Sequence, residues 1–299
     1  MLRRLALAAL ALVLAALAGA CSESARTTDG QTLERARAAG KIRVGYANEA
    51  PFAWLDPVTG ELTGEAPAIA RAVLEDLGIR EIEGVLTEFG SLIPGLKAGR
   101  FDVIAAGMYV LPARCREIAF SNPTYSVGES FIVRAGNPRG LNSYADAARS
   151  ASATIGVVAG AVQLQYALDK GIPRERVLVF PDPPSALEAV IAGRVDAYAA
   201  TALTVNDLLR RADTQAVERA EPFHEPVANS AVARGYGAFG FRKGDKSLVE
   251  AFNAGLSKLI GTPRHAELVR PFGFTERELP GNATAQELCR GGGGESRPQ

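Results

Sequence analysis

The chain has 299 residues, enough for one large or two modest domains, and its 47% hydrophobic content is that of a globular core. Its 33 basic and 33 acidic residues balance, so no basic stripe argues for a nucleic-acid partner. His224 and His265 are the only histidines and neither has metal-ligand company, which argues against a zinc site.

The first 21 residues differ from the rest. Arg3 and Arg4 precede an unbroken apolar run from Leu5 to Leu17, and the small residues Ala18-Gly19-Ala20 stand just before Cys21. This is the pattern of a secretory signal, too short for a comfortable membrane span. A cysteine directly after the small residues resembles a bacterial lipobox, which implies lipidation of Cys21; ordinary cleavage leaving a free Cys21 is the other reading. Residues 22–38 are expected to form a tether. Nothing after residue 21 is long and apolar enough to span a bilayer.

Alternating elements come next. Lys41 to Tyr46 reads as a strand, Gly64 to Leu77 as a helix with Gly78 as its stop, and Val85 to Thr87 as a strand. Leu92 to Ala98 is helical and Asp102 to Ala106 extended. Ser130 to Arg134 is a strand before the breaker Gly136-Asn137-Pro138. A second set comprises strands at Thr154–Val158, Val177–Phe180 and Ala197–Ala200, with helices at Gln163–Lys170, Ser185–Ala192 and Thr204–Arg211. Gly235 to Phe241 returns to extended structure, Leu248 to Ile260 closes the fold as a helix, and Arg290 to Gln299 reads as disordered.

One phrase occurs twice. Leu96-Lys97-Ala98-Gly99-Arg100-Phe101-Asp102-Val103-Ile104-Ala105-Ala106 matches Val190-Ile191-Ala192-Gly193-Arg194-Val195-Asp196-Ala197-Tyr198-Ala199-Ala200. Each reads as a helix end, a glycine stop, and an aspartate opening a short buried strand. Two copies imply two α/β lobes on one plan, with largely parallel sheets. The expected division is 39–133 with 237–285 for one lobe, 137–232 for the other, crossings at 134–136 and 233–236, and a tail over 286–299. Two crossings make a hinge with a cleft at the carboxyl ends of the strands.

Phe89-Gly90-Ser91-Leu92-Ile93-Pro94-Gly95-Leu96, Ala98-Gly99-Arg100-Phe101-Asp102, Pro112-x-Arg114 and Phe120-Ser121-Asn122-Pro123-x-Tyr125 together resemble the polar amino-acid-binding family (family 3) of ABC-importer substrate-binding proteins. The resemblance implies a two-lobed periplasmic-binding-protein fold of type II. It also implies non-enzymatic capture of a small zwitterion by a monomer without cofactor, and delivery to a membrane permease. Ala47-Asn48-Glu49-Ala50-Pro51-Phe52, Gly84 to Ser91 and Ala159-Gly160-Ala161-Val162 resemble ectoine/hydroxyectoine-binding members more narrowly.

By that resemblance Arg114 is the carboxylate-binding arginine, whose guanidinium fork can donate two parallel hydrogen bonds. The Gly160-Ala161-Val162 turn is expected to offer free backbone N–H groups to the same carboxylate. Tyr109 stands where amino-acid binders commonly carry a small hydroxyl residue, and Thr201 where they commonly place an aspartate for the ammonium. Phe52, Phe89 and Tyr109 are then expected to form an aromatic cage for a delocalised cation, with Glu49 accepting its N–H groups. Cys115 and Cys289 can pair in an exported chain; two unrelated thiols are the alternative. A cyclohexadienyl dehydratase-like enzyme with Glu49 as its acid–base, a general amino-acid binder, and a lipoprotein sensor are the rival functions. Gly235 to Gly240 matches G-x-G-x-x-G but runs into another extended segment, so it does not read as a dinucleotide loop.

Overall fold

A computed structural model describes residues 29–211, 215–225, 227–228, 231–232 and 234–291. The expected signal segment, Cys21, most of the expected tether and residues 292–299 lie outside the described residues. Among the described residues no helix is long and apolar enough to cross a membrane.

The strands are β1 (Lys41–Tyr46), β2 (Trp54–Leu55), β3 (Leu62–Thr63), β4 (Glu81–Leu86), β5 (Val103–Tyr109), β6 (Ala119–Phe120) and β7 (Tyr125–Val127). They continue with β8 (Glu129–Arg134), β9 (Ile155–Val158), β10 (Val177–Phe180), β11 (Ala197–Thr201), β12 (Val217–Arg219), β13 (Val227–Ala228), β14 (Ala231–Val232) and β15 (Gly235–Phe241). One sheet has the order β4-β1-β5-β15-β6, with β7 also on β15; the other runs β10-β9-β11-β8-β12. In each, three parallel strands are followed by antiparallel neighbours: β15 against β5 in the first, β8 against β11 in the second. The sheets are therefore mixed rather than largely parallel. The antiparallel strands are those that bring the chain into or out of a lobe.

Strand alternation divides each core in two. On β5, Val103 and Ala105 pack with Ile69, Val73, Phe241 and Phe252, whereas Ile104, Ala106 and Met108 pack with Leu92, Leu96 and Phe120. On β11, Ala197 and Ala199 face one side and Tyr198 and Ala200 the other. Both faces of each sheet are covered, which explains why these strands read as continuous apolar runs.

The repeated phrase is one structural device used twice. Gly99 and Gly193 adopt φ of 71° and 68°, the left-handed geometry glycine permits at a helix end. Behind them Arg100 N–H donates to the Gly95 carbonyl at 3.0 Å and Arg194 N–H to that of Ala189 at 2.8 Å. Asp102 and Asp196 then pin the next strand: their N–H groups reach the Arg43 and Thr154 carbonyls, each at 2.9 Å. The Asp102 carboxylate accepts from Arg35 at 2.9 Å, Arg43 at 3.2 Å and Arg242 at 2.9 Å. Asp196 accepts from Thr154 N–H at 2.9 Å and Arg139 at 2.6 Å. Burial pushes the Asp102 carboxyl up, but the hydrogen bonds from Arg43 and Arg242 outweigh it and hold it below the ordinary carboxylate range.

Five expectations change. β7 belongs to the first sheet and β8 to the second, so the chain crosses at Gly128 rather than at 134–136. The breaker at 136–138 is only the turn after β8, and the true crossing lies in a buried stretch whose one glycine, Gly128, is followed by no proline or turn dipeptide. On the return, Gly235 and Tyr236 already pair with Val127 and Ser126 of the first sheet, so the second crossing precedes them. Residues 31–38 of the expected tether belong to the helix Gln31–Ala39, which buries Leu33 and Ala36 and joins Thr32 to Asp245 at 2.7 Å. The expected tail begins as the helix Ala285–Cys289, and Cys289 is disulfide-bonded to Cys115. β4 starts at Glu81 rather than Val85, because as an edge strand it carries Glu81 and Glu83 and hides its first half from an apolar-run reading.

Removing Asp102 leaves three guanidinium groups facing one another around a buried strand start. Asp102→Ala is expected to lower the unfolding free energy in urea by about 3 kcal/mol. A loss below about 1 kcal/mol would mean that the cluster acts as no more than exposed ion pairs.

Candidate functional site

The carboxyl ends of β1, β5, β9 and β11 converge on a cavity between the lobes. It encloses about 440 Å³, its mouth included, and lies between Glu49, Phe52, Phe89, Tyr109 and Arg114 of the first lobe and Ala161, Val162, Gln163, Tyr198 and Thr201 of the second. Eight of the nine residues read from the sequence as ligand contacts line this one space.

Arg114 is carried by the short helix Pro112–Cys115 that follows β5, started by Pro112. One terminal nitrogen donates to the Tyr109 carbonyl and the other, across the cleft, to the Gly160 carbonyl, each at 2.9 Å. The guanidinium lies over the Phe89 ring, 5.5 Å from its centroid. Among the described residues no carboxylate pairs with it. Burial lowers its pKa to about 10. Two of its five N–H donors are committed to carbonyls, leaving three for an anion.

Glu49 sits in a tight turn after β1, exchanging backbone hydrogen bonds with Ala53 at 2.8 and 2.9 Å. Its carboxylate accepts from the Thr204 hydroxyl of the second lobe at 2.8 Å and has no cationic partner among the described residues. Burial raises it to about 7 against the opposing Thr204 hydrogen bond. Thr201 does not point a charge at the site. It caps the helix Ala202–Arg211, accepting from Thr204 N–H at 3.0 Å, and its hydroxyl meets that of Thr204 at 2.9 Å. Where the resemblance leads to an expected aspartate, the chain thus carries a hydroxyl pair that reaches Glu49.

The aromatic residues are unequal. Phe52 is 2% exposed and stacks on Tyr125 at 5.2 Å, so it presents only part of its ring to the cavity. Tyr109 is also nearly buried, Phe89 is half-buried beneath Arg114, and Tyr198 adds a fourth ring. Gly160 itself stays out of the lining; its carbonyl, not its N–H, meets Arg114. The Ala161 N–H is committed to the Val158 carbonyl at 3.2 Å, so the turn offers less to an anion than expected. Tyr198, Gln163 and Thr204 were not apparent from sequence. Tyr198 occupies the place of Ile104 in the repeated phrase and reads as core. Gln163 directly succeeds the recognised turn, and Thr204 stands at capping distance from Thr201.

Residues 42–275 match the family of bacterial extracellular solute-binding proteins, family 3. The chain is 41% identical over 270 residues to the probable amino-acid ABC transporter periplasmic-binding protein y4tE of Sinorhizobium fredii, covering 89% of this chain and 88% of that protein. It is 27% identical over 229 residues to the L-arginine-binding protein of Pseudomonas aeruginosa, covering 76% and 85%. The crystal structure of EhuB in complex with hydroxyectoine is similar at a TM-score of 0.80 and 36% identity, covering 87% of this chain and 98% of that one. An ancestral amino acid-binding protein, a precursor of cyclohexadienyl dehydratase, is similar at a TM-score of 0.70 and 25% identity, covering 81% and 99%. These relatives share the type II two-lobed architecture described above.

The lobes touch backbone to backbone where Gly160, at φ 77°, faces Gly90: a Cβ on Gly160 would lie 2.6 Å from the Gly90 Cα, whereas one on Gly90 would meet nothing nearer than 3.5 Å. Gly160→Ala is therefore expected to hold the lobes apart and enlarge the radius of gyration in small-angle scattering, and Gly90→Ala to leave it unchanged. Equal scattering curves for the two variants would overturn this contact as a limit on closure.

Proposed function

The chain belongs to the bacterial extracellular solute-binding proteins of family 3, the amino-acid-binding components of ABC importers, and from that premise we propose that it captures ectoine or hydroxyectoine. Members deliver small solutes to a permease, and the chain is a binding protein rather than an enzyme. The observation that carries the ligand reading is the pair of partly buried, unpaired charges on one cavity wall. Among the described residues Arg114 has no anionic partner and Glu49 no cationic one, and burying either alone is costly. A zwitterion satisfies both. Thr201 in place of an aspartate weakens the case for a localised α-ammonium, and the rings of Phe89, Tyr109 and Tyr198 suit a delocalised cation. Ectoine's cyclic amidinium offers N–H donors to Glu49 and its carboxylate suits Arg114. A quaternary ammonium lacks those donors. The hydroxyectoine complex of EhuB supports the same class of ligand.

The second reading, a polar amino acid, draws support from the amino-acid-binding relatives and shares the Arg114 clamp. The proposal also includes cleavage before Cys21, a lipid anchor on that cysteine, an extracytoplasmic position and a monomeric state.

Calorimetry of the domain is expected to register ectoine and hydroxyectoine, with little response to glycine betaine, L-arginine or L-glutamine. Heat from an amino acid beside silence from both ectoines would sink the ectoine reading. Arg114→Ala is expected to weaken binding by roughly a hundredfold, about 2.7 kcal/mol, in a protein that still folds; retained affinity would remove its carboxylate role.

Without a cation beside it Glu49 holds its proton up to about 7. A ligand cation lowers that value, so the proton must leave on binding and affinity falls as pH drops. Dissociation constants are expected to rise roughly tenfold between pH of about 7.5 and about 5.5, and Glu49→Gln to remove the slope. A flat profile for the parent protein would exclude Glu49 as the cation's partner.

A further inference from the structure

Behind the cavity wall lies a carboxyl that no cation among the described residues neutralises. Glu129 is the first residue of β8, one step past the Gly128 crossing, and is 2% exposed. Its backbone N–H donates to Glu225 Oε2 at 2.8 Å, on the returning segment. A Cβ at Gly128 would lie 1.9 Å from Glu225 Oε1, so the outgoing and returning chains pack directly on each other.

The side chain joins residues from both lobes. Gln163 Nε2 donates to its two oxygens at 2.9 and 3.2 Å. The Tyr144 hydroxyl stands 3.3 Å from Oε2 and that of Tyr109 3.5 Å from Oε1. Tyr109 is on β5 of the first lobe, Gln163 begins a helix of the second, and both line the cavity. The titratable groups that face Glu129 are thus Tyr109, Tyr144 and Glu225, with the Tyr125, Tyr166 and Tyr198 phenols sensing its charge. No Lys, Arg or His among the described residues forms an ion pair with it.

An ionised Glu129 would be a buried, uncompensated charge beside a second carboxyl. A neutral one avoids that cost, accepts from Gln163 and can donate its O–H to a phenol oxygen. Burial, helped by Glu225 and opposed by the Gln163 hydrogen bond, raises it to about 8.

We propose that Glu129 is a positioning residue of the ligand site: a neutral carboxyl at the interlobe crossing that fastens Tyr109 from one lobe and Gln163 from the other into the closed wall. Gln163 commits its amide N–H group to Glu129, so its amide carbonyl is the acceptor left for a ligand N–H or O–H. The link to affinity rests on the zwitterion-site reading; the link to closure does not.

The test compares the parent protein with Glu129→Gln, a neutral isostere, and Glu129→Ala, each checked for folding by circular dichroism. Without ligand, Glu129→Ala is expected to enlarge the radius of gyration and alter the fluorescence of Trp54, the chain's single tryptophan, over which Arg211 of the second lobe lies. Glu129→Gln is expected to do neither. With ectoine, Glu129→Ala loses at least about tenfold in affinity and Glu129→Gln stays within about threefold.

A carboxyl raised when folded destabilises the fold as pH rises from about 4.5 to about 8, so the ligand-free parent loses melting temperature between pH of about 7 and about 8, and Glu129→Gln loses less. Alanine matching the parent in scattering and affinity would overturn the positioning role. Glutamine failing as alanine fails, or melting with the parent's slope, would overturn the neutral carboxyl. A parent that binds none of the solutes defeats the site reading alone, and scattering still decides the role of Glu129.

Discussion

Closing two lobes around a guanidinium that has no carboxylate partner among the described residues is the constraint on which this site depends. Arg114 ties the halves together through neutral carbonyls, Tyr109 on its own lobe and Gly160 on the other. Carbonyl dipoles solvate a cation without cancelling it, so the site keeps a net positive end. Glu49 supplies the negative end and is likewise held by a neutral group, the Thr204 hydroxyl. Both charges stand on the first lobe, at the ends of β1 and β5. The second lobe contributes hydroxyls, carbonyls and rings. Neutral contacts across the cleft join the lobes while leaving both charges free for the solute.

The architecture supports this division. In each lobe a glycine-stopped helix and a pinned aspartate fix where a central strand begins, and the strand's far end delivers the site. Asp102 and Asp196 hold the two starts through different partners, arginines in one case and a threonine backbone with Arg139 in the other. The same geometry thus brings the ends of β5 and β11, with Tyr109 and Thr201, to one cavity while leaving the residues beyond each strand free to differ. The disulfide between Cys115 and Cys289 adjoins Arg114 and anchors its short helix to the C-terminal helix. A covalent cross-link thereby sits beside the most consequential charge of the chain.

Much of this was legible from residues alone. The two-lobe plan came from the repeated phrase, and most helices and strands from apolar period and glycine stops. The ligand wall came from motif resemblance, because Arg114, Glu49 and the aromatic residues lie in contiguous signatures. The crossing at Gly128 was not legible. Tyr125 to Arg134 carries a single glycine and no proline, and its apolar residues Val127, Phe131, Ile132 and Val133 say that it is buried without saying in which sheet. The helix Gln31–Ala39 was missed because its arginine-rich sequence carries a weak apolar stripe, and the C-terminal helix because it is short and held by Cys289. Tyr198 and Gln163 escaped because a strand tyrosine and a helix-start glutamine look like core and cap until the cavity is seen.

The sequence by itself determined the local grammar: where helices stop, where strands begin, and which residue types supply a fork, an acid and π-faces. Those are properties of neighbours along the chain, set by backbone sterics and side-chain chemistry within a few residues. Only the tertiary structure decided which groups remain without partners. Whether Arg114 meets a carboxylate or a carbonyl, whether Thr201 faces the ligand or caps a helix, and whether Glu129 is charged depend on residues distant in sequence brought within about 3 Å, at which range desolvation and hydrogen bonding set the energy. The pairing of charges, and hence the kind of solute the cleft can hold, is a property of that proximity.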